Sequence, residues 1–295
     1  MRIVIAGSSG LIGTSLVASL RGRGHEVLRL VRRRPAAPDE RGWDPPAGRI
    51  DDGALAGADA VVNLCGAGVG DKRWTDARKQ VLRDSRTIPT EVLASAVAER
   101  GVPVLVNSSA VGYYGDTGSH AVDETAGPGG GFLAGLCREW EAATTPAQQA
   151  GARVVLLRTG IVISPSGGMF GKLKPLFSLF LGGRLGSGEQ YVPWISLDDA
   201  TAAIRFAVED GVRGPVNLTG PVPVTNAEFT SVVARVVGRP APWVVPGFAL
   251  KAVLGGFAEE GVLTGQRAVP RVLEDAGFPF LHPTLDSAVR AAVGA

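Results

Sequence analysis

The sequence predicts an α/β protein, a doubly wound parallel sheet followed by a smaller C-terminal lobe. Three observations lead there. From residue 2 to about residue 163, short, continuously apolar, β-branched runs alternate with stretches of helical periodicity, the pattern of strands buried on both faces and joined by crossover helices. A glycine-spaced turn, GSSGLIG at 7–13, lies between the first run and the first helical stretch. Beyond Ile163 the chain becomes rich in Gly and Pro, and beyond Pro240 its helical stretches are interrupted by Pro246, Pro270, Pro279 and Pro283,.

Each element follows from its residues. RIVIAG opens as a strand; LIGTSLVASLRGRG has helical periodicity and a glycine stop at Gly24; HEVLRLVRR is the second strand, which completes a βαβ unit,. DAVVNLCGAG at 59–68 is a third buried strand, residues 74–100 a long helix, VPVLVNSS a fourth strand, 132–150 a helix, and ARVVLLRTGIV a fifth strand. After the irregular excursion at 164–195, SLDDATAAIRFAVED begins a helix at a Ser/Asp cap and GPVNLTG is a short strand. TNAEFTSVVARVVG is a helix capped by Thr225 or Asn226,. The expected organisation is a nucleotide-binding domain over 1–163, its sheet completed within 196–238. Residues 164–195 and 239–295 form the smaller lobe.

Composition narrows the function classes. With 295 residues and 45% apolar side chains the chain can bury a large core,. Its net charge of +2 and its dispersed basic residues lack the footprint of a nucleic-acid binder,. Cys65 and Cys137 stand alone, without CxxC or a nearby His at ligand spacing, so neither a disulfide framework nor a metal site is expected,. No targeting segment or membrane span is read from the sequence. The expectation is a cytoplasmic protein whose partner is a small molecule, with no nucleic acid and no membrane; oligomeric state is not legible.

The glycine turn points to a dinucleotide. Gly7 permits the tight turn, Gly10 lets backbone amides approach a pyrophosphate, and Gly13 lets helix and strand pack closely. At the end of the second strand, where a carboxylate would bond the ribose 2′-hydroxyl of NAD, the chain carries Arg32, Arg33 and Arg34. Guanidiniums grip a 2′-phosphate bidentately, whereas a carboxylate repels it, so NADP(H) is the expected cofactor. Arg34, preceding Pro35, also reads as a solvated turn residue. The small residues of NLCGAG let the chain pass beside a nucleotide. Asn63 there is equally a capping residue, and Cys65 reads as a packed side chain rather than a nucleophile. The cofactor contacts expected are Gly7, Ser9, Gly10, Leu11, Ile12, Gly13, Arg32, Arg33, Leu64, Cys65, Gly66 and Ser108.

VNSSAVGYYG at 106–115 crowds hydroxyls onto a strand end, where ligands of doubly wound sheets bind,. Together with GSSGLIG, WDPPAGRID, VNLCGAGVGDKRWT, RDSRT, FLAGLCREWE, RTGIVIS, GGRLGSGEQYVPWISLDD, NLTGPVPVTNAEFT and LTGQRAVPRVLEDAGFPF, it makes the whole chain resemble the extended short-chain dehydrogenase/reductase superfamily. The resemblance is to its atypical branch of NAD(P)-dependent, nucleoside-diphosphate-sugar epimerase-like proteins with a small C-terminal domain. It implies a Rossmann-type sheet, a bound NAD(P), and cofactor contacts from Gln80 and Arg86, although an exposed helix arginine is also common.

The resemblance also exposes a departure. Enzymes of the superfamily pair a Ser or Thr at this strand end with a YxxxK on the next helix, in which the tyrosine is the acid/base and the lysine lowers its pKa. Here FLAGLCREWE puts Leu133 and Cys137 at those two places, and no lysine lies between Lys79 and Lys172. Arg138 offers a ribose contact but does not trade protons as a lysine does. The expected catalytic residues are therefore Ser109 with Tyr113 or Tyr114, the alternative for the tyrosines being a packed loop.

On the substrate side, Gly182, Gly183, Gly186, Gly188, Gln190 and Trp194 read as lining a ligand, and the Asp198–Asp199 pair as a helix cap,. Two functions stay open at this point. One is an NADP(H)-dependent oxidoreductase or epimerase acting on a carbonyl or nucleotide-sugar compound. The other is a non-catalytic NADP(H)-binding redox sensor or scaffold.

Overall fold

A computed structural model describes residues 1–294. Its central sheet contains β1 (Arg2–Ala6), β2 (Glu26–Val31), β3 (Glu40–Asp44), β4 (Arg49–Ile50), β5 (Ala60–Asn63), β6 (Val104–Ala110), β7 (Arg153–Thr159) and β8 (Gly214–Leu218). In space they run β8-β7-β6-β5-β1-β2-β3-β4, all parallel except the β4 edge, which is antiparallel to β3. The chain builds outward from β1 first to one side and then to the other. The crevice between β1 and β5 is consequently the topological switch point, where such sheets bind ligands.

Strand alternation explains the unbroken apolar runs. In β1, Ile3 and Ile5 pack on one face against Leu16 and Leu20 of α1 (Leu11–Gly22) and Ile204 of α6 (Leu197–Glu209). Val4 and Ala6 pack on the other face with Leu93 and Val97 of α2 (Asp76–Arg100) and Ala147 of α4 (Thr145–Gln149). Because both faces are covered, the four positions from Ile3 to Ala6 are all fully buried and apolar, and only Arg2 at the strand's start is partly exposed,.

Helix boundaries are set locally. α2 starts at Asp76, two residues later than expected, because Thr75 is its cap and accepts the Arg78 N–H, while the Trp74 indole donates to the Val69 carbonyl. The helix expected over 132–150 is two, α3 (Phe132–Ala142) and α4, with Pro146 in the first turn of the second,. Thr225, not Asn226, caps α7 (Asn226–Val237), through a capping box with Glu228,. α6 is capped by Ser196. Asp199, in its first turn, is 1% exposed and accepts the N–H groups of Leu281 and His282, so it ties the C-terminal segment to the sheet rather than serving as the cap.

The smaller lobe is built from more of the chain than 164–195 and 239–295. Its core joins Phe170 and Phe177 of α5 (Gly168–Ser178), Trp194, Phe229 and Val233 of α7, and Leu285 and Val289 of α11 (Leu285–Val293). α7 therefore belongs to this lobe. Between Pro240 and α11 lie α8 (Gly247–Leu254), α9 (Gly256–Gly261) and α10 (Arg271–Asp275). Leu273 of α10 and Phe278 return to the core of the main sheet, so the tail straps the two parts together. Among the described residues no helix is long and apolar enough to cross a membrane.

Replacing Asp199 by Ala removes the buried acceptor of the Leu281 and His282 N–H groups and is expected to cost about 1–3 kcal/mol,. Urea denaturation measures that loss, and limited proteolysis should show early cleavage near 276–284.

Candidate functional site

The glycine turn meets three different steric demands. Gly7 has φ +81°, and a Cβ there would lie 2.7 Å from the Leu64 carbonyl. A Cβ on Gly13 would collide with the Gly7 carbonyl oxygen, so the start of α1 can press onto the turn only with glycine there. At Gly10, by contrast, the nearest protein atom to a Cβ is 3.5 Å away. Nothing in the protein requires glycine at that position, which leaves room for something outside it. Gly10 opens α1 without a side-chain cap, so the first-turn N–H groups are available to an anion,.

Above the turn is a cavity of about 390 Å³. Gly7, Gly10, Leu11, Ile12, Gly13, Leu64, Gly66 and Ser108, all expected cofactor contacts, line it. Gly160, Ile161, Val162, Gly168 and Met169 close its other side, and the sequence reading missed these five. RTGIVIS was the available signal, since its strand ends at the sheet edge where the first strand also ends. The cavity, its turn and the uncapped helix fit a dinucleotide. No ionisable side chain lines it among the described residues.

The arginines divide. Arg33 is held by Glu40 through two hydrogen bonds of 2.8 and 2.6 Å, and this partner raises its pKa. Arg32 is exposed and has no partner among the described residues, and its charge reaches Cys65 beside the cavity. Arg32, rather than Arg33, is thus a free guanidinium directly after β2; Arg34, exposed and likewise without a side-chain partner among the described residues, lies two residues further on. Burial nonetheless pushes the Cys65 thiol up to about 12, and Cys65 packs against the core. The Asn63 side chain accepts the Cys65 N–H, so Asn63 caps the strand end.

Arg86 is not an exposed helix residue. It is buried, stacks 5.0 Å from Trp140 and donates to the Ala67 carbonyl at 2.9 Å, with no ion-pair partner among the described residues. Burial lowers its pKa to about 10. Its guanidinium lies against Gly66 and holds the Gly66–Ala67 loop from behind. Gln80, expected at the dinucleotide, is exposed and bonds Asp84 one turn away on the same helix, so it does not reach the cavity. Ser9 is exposed at the tip of the turn.

The hydroxyl cluster answers to a buried cation. Ser109, Arg158 and Asn217 are register partners on β6, β7 and β8, so their side chains share one face of the sheet,. Arg158, 3% exposed, forms a bidentate pair with Glu141 of α3 at 2.9 and 3.0 Å. Ser109 donates to the same carboxylate at 2.6 Å. Arg158 also donates to the Tyr114 hydroxyl at 3.0 Å, which in turn donates to Asn217 Oδ1 at 2.7 Å. Burial alone would lower the Arg158 pKa, but Glu141 and Tyr114 outweigh it and the pKa is raised.

For Tyr114 the balance runs the other way. Burial pushes its phenol up to about 12 although Arg158 opposes the shift. A general acid/base works best near the ambient pH, so Tyr114 is poorly placed for that work. Ser109 and Tyr114, expected as catalytic residues, turn their hydroxyls into the ion pair instead. Tyr113 is half-buried, its ring lies 3.5 Å from the Arg158 guanidinium, and its hydroxyl has no protein partner among the described residues. The cation beside these tyrosines is Arg158, 44 residues from Tyr114 in the chain and so invisible to local sequence patterns.

Alternation separates neighbouring serines. Ser108 lines the cavity while Ser109, one residue on, points to the opposite face. At the dyad positions, Leu133 packs on Gly112, and Cys137 donates weakly to the Ala110 carbonyl with its thiol pushed up to about 12 by burial. Arg138 is exposed.

The residues read as substrate-lining are taken by the fold. A Cβ on Gly182 would meet the Phe177 ring at 2.5 Å, and one on Gly186 would meet Leu263 at 2.9 Å. Gln190 donates to the Leu185 and Val262 carbonyls, and Trp194 is 1% exposed with its indole on the Val222 carbonyl.

Comparison with known proteins agrees with this architecture. Residues 3–219 match the model of the NAD dependent epimerase/dehydratase family, and residues 245–292 match a domain of unknown function, DUF1731. An epimerase family protein of Mycobacterium tuberculosis is 57% identical over 288 residues, 97% of this chain and 96% of the relative. The crystal structure of human epimerase family protein SDR39U1 with NADPH is similar at TM-score 0.92 and 31% identity, over 100% of both chains. That of a nucleoside-diphosphate sugar epimerase from Corynebacterium glutamicum is similar at TM-score 0.83 and 38% identity, over 100% of this chain and 58% of that one.

Glu141→Gln is expected to destabilise the fold by about 3–5 kcal/mol, since it leaves a buried guanidinium without its counter-charge; denaturant titration reads the loss. Tyr114 has a folded pKa of about 12 against an ordinary value of 10, so it favours the folded state below pH 10 and loses that contribution as pH rises through 12,. Ultraviolet titration of the wild type against Tyr114→Phe should show the missing phenolate signal only at the alkaline end.

Proposed function

This chain belongs to the NAD dependent epimerase/dehydratase family, and from that membership we propose that it is a cytoplasmic NADP(H)-binding, epimerase-like oxidoreductase acting on a carbonyl or nucleotide-sugar-type small molecule without the usual tyrosine–lysine dyad. The observation that carries the cofactor assignment is the cavity over the glycine turn, with unobstructed space at Gly10 and an unpaired Arg32 at the end of β2. In this reading the first turn of α1 receives the pyrophosphate, and Arg32 receives the 2′-phosphate. Similarity to the human protein crystallised with NADPH supports the same cofactor.

When bound, the nicotinamide gives or takes a hydride. The chain's own residues supply a largely apolar wall of Leu64, Ile161, Val162 and Met169, with the Ser108 hydroxyl as the one polar side chain lining the cavity among the described residues. With Ser109 and Tyr114 committed to Arg158 and Glu141, Tyr113 is the remaining tyrosine of the cluster whose hydroxyl is free to meet a substrate. One observation favours the second reading, a redox sensor or scaffold that binds NADP(H) without turning it over. The cavity wall offers no group that titrates near neutral pH,.

Fluorescence titration should give tighter binding of NADPH than NADH, and Arg32→Asp should swing that preference towards NADH. Gly10→Val is expected to cost less than about 1 kcal/mol of stability, a helix-cap effect, yet to weaken NADPH binding at least tenfold because the new side chain occupies the ligand's space. Turnover on a panel of carbonyl compounds that is lost in Tyr113→Phe supports the oxidoreductase; tight NADPH binding with no turnover on any compound supports the sensor.

A further inference from the structure

Eight of the twelve large apolar side chains exposed among the described residues fall in two segments, 161–188 and 229–258. Leu179, Phe180, Leu181, Trp243, Phe248 and Val253 are each more than half exposed. The segments are joined in space. Gly183–Leu185 pairs in parallel with Trp243–Val245, and the Trp243 indole donates to the Phe180 carbonyl at 2.7 Å. The chain then enters α8, GFALKAVL, no residue of which is buried. An apolar helix with no fully buried residue gains little from the fold it sits on, and contiguous exposed apolar surface of this kind marks a contact with something else,.

Phe180 sharpens the point. It is the one non-glycine residue with positive φ, +63°, among those described, at the end of α5 where glycine is the usual occupant,. An aromatic side chain is kept in a costly backbone conformation, half in solvent and stacked 5.1 Å from Arg239.

Charge identifies the occupant. The two segments make up about a fifth of the chain and contain no Asp or Glu, although the whole has 28 acidic residues. They contain six cations. Lys172, Arg235 and Lys251 are paired with Asp71, Asp286 and Glu259 from outside the segments, while Lys174, Arg184 and Arg239 have no ion-pair partner among the described residues. A second copy seated by twofold symmetry would set this face against itself, cations facing cations. Exposed Leu and Val do not stack on nucleic-acid bases. Aromatic and aliphatic side chains rimmed by three unpaired cations, with the neighbouring carboxylates of Asp71, Asp286 and Glu259 each taken up by a cation, complement an anionic lipid surface,.

We propose that this face of the smaller lobe docks the protein peripherally on anionic phospholipid membranes. Among the described residues no helix is long and apolar enough to cross a membrane, and surface attachment needs none. The proposal is independent of the cofactor assignment, so NADPH binding serves as the control for intact protein.

The test is co-sedimentation of the full chain with vesicles of phosphatidylcholine alone and of phosphatidylcholine containing about a third phosphatidylglycerol, a share that gives a negative surface. Binding is expected to the anionic vesicles only, with roughly tenfold loss in Lys174→Glu/Arg239→Glu, two charge reversals at the surface. A comparable loss is expected in Phe248→Asp/Val253→Asp, whose positions are 77% and 72% exposed and do not support the fold. No sedimentation with anionic vesicles overturns the proposal, as does binding that survives Phe248→Asp/Val253→Asp undiminished. Analytical ultracentrifugation that finds a dimer abolished by the same pair of substitutions also overturns it, in favour of a second copy on this face.

Discussion

The C-terminal end of the sheet is organised around one buried ion pair, Arg158 with Glu141. A guanidinium 3% exposed at the end of β7 must have its charge and its donors met inside the protein,. Glu141 takes two of its N–H groups, Tyr114 takes another, and Ser109 and Asn217 satisfy those partners in turn. The network extends to Glu124, whose carboxylate accepts the Asn217 N–H and the Val272 N–H at the start of α10; burial raises its pKa, and those two bonds oppose the rise only in part. One cation thereby fixes where α3, the Tyr113–Tyr114 turn and the returning tail sit relative to the sheet.

That constraint divides the strand end between two tasks. Successive residues of β6 point to opposite faces, so Ser108 borders the nucleotide cavity while Ser109 serves the ion pair,. A second polar set joins Asn63 at the end of β5 and Asn107 in the middle of β6 to Thr90 of α2, which also accepts the Trp140 indole N–H. Buried polar groups connected in this way rigidify their surroundings. The cavity wall is correspondingly apolar and preformed, built on the ends of strands rather than on a long mobile loop.

The smaller lobe follows a different economy of contacts. Its core is formed by aromatic residues from α5, α7 and Trp194, joined by α11, while α8 remains on the outside with its apolar side chains in solvent. α5 connects the two regions, since its first residues, Gly168 and Met169, close the cavity and the chain after its last turn carries Leu179–Leu181 on the exposed face.

The sequence by itself determined the parallel strands β1, β2, β5, β6, β7 and β8, most of the helices between them, and the nucleotide end; it did not reveal the edge strands β3 and β4, whose residues carry no apolar run. The legible parts depend on short-range patterns: apolar runs covered on both faces, a glycine spacing confined to seven residues, and arginines at the end of the next strand. It also determined that the dyad is missing, because Leu133 and Cys137 occupy fixed offsets from Glu141. Only the tertiary structure decided which hydroxyls are free. Ser109 and Tyr114 are consumed by Arg158, a residue whose strand pairs with β6 across 49 positions of sequence, and no local pattern reveals which face of a strand a distant cation will occupy. The same holds for Arg33, neutralised by Glu40, for the substrate-side glycines that make room for Phe177 and Leu263, and for α8, whose apolar sequence reads as core until its neighbours are seen to leave it uncovered.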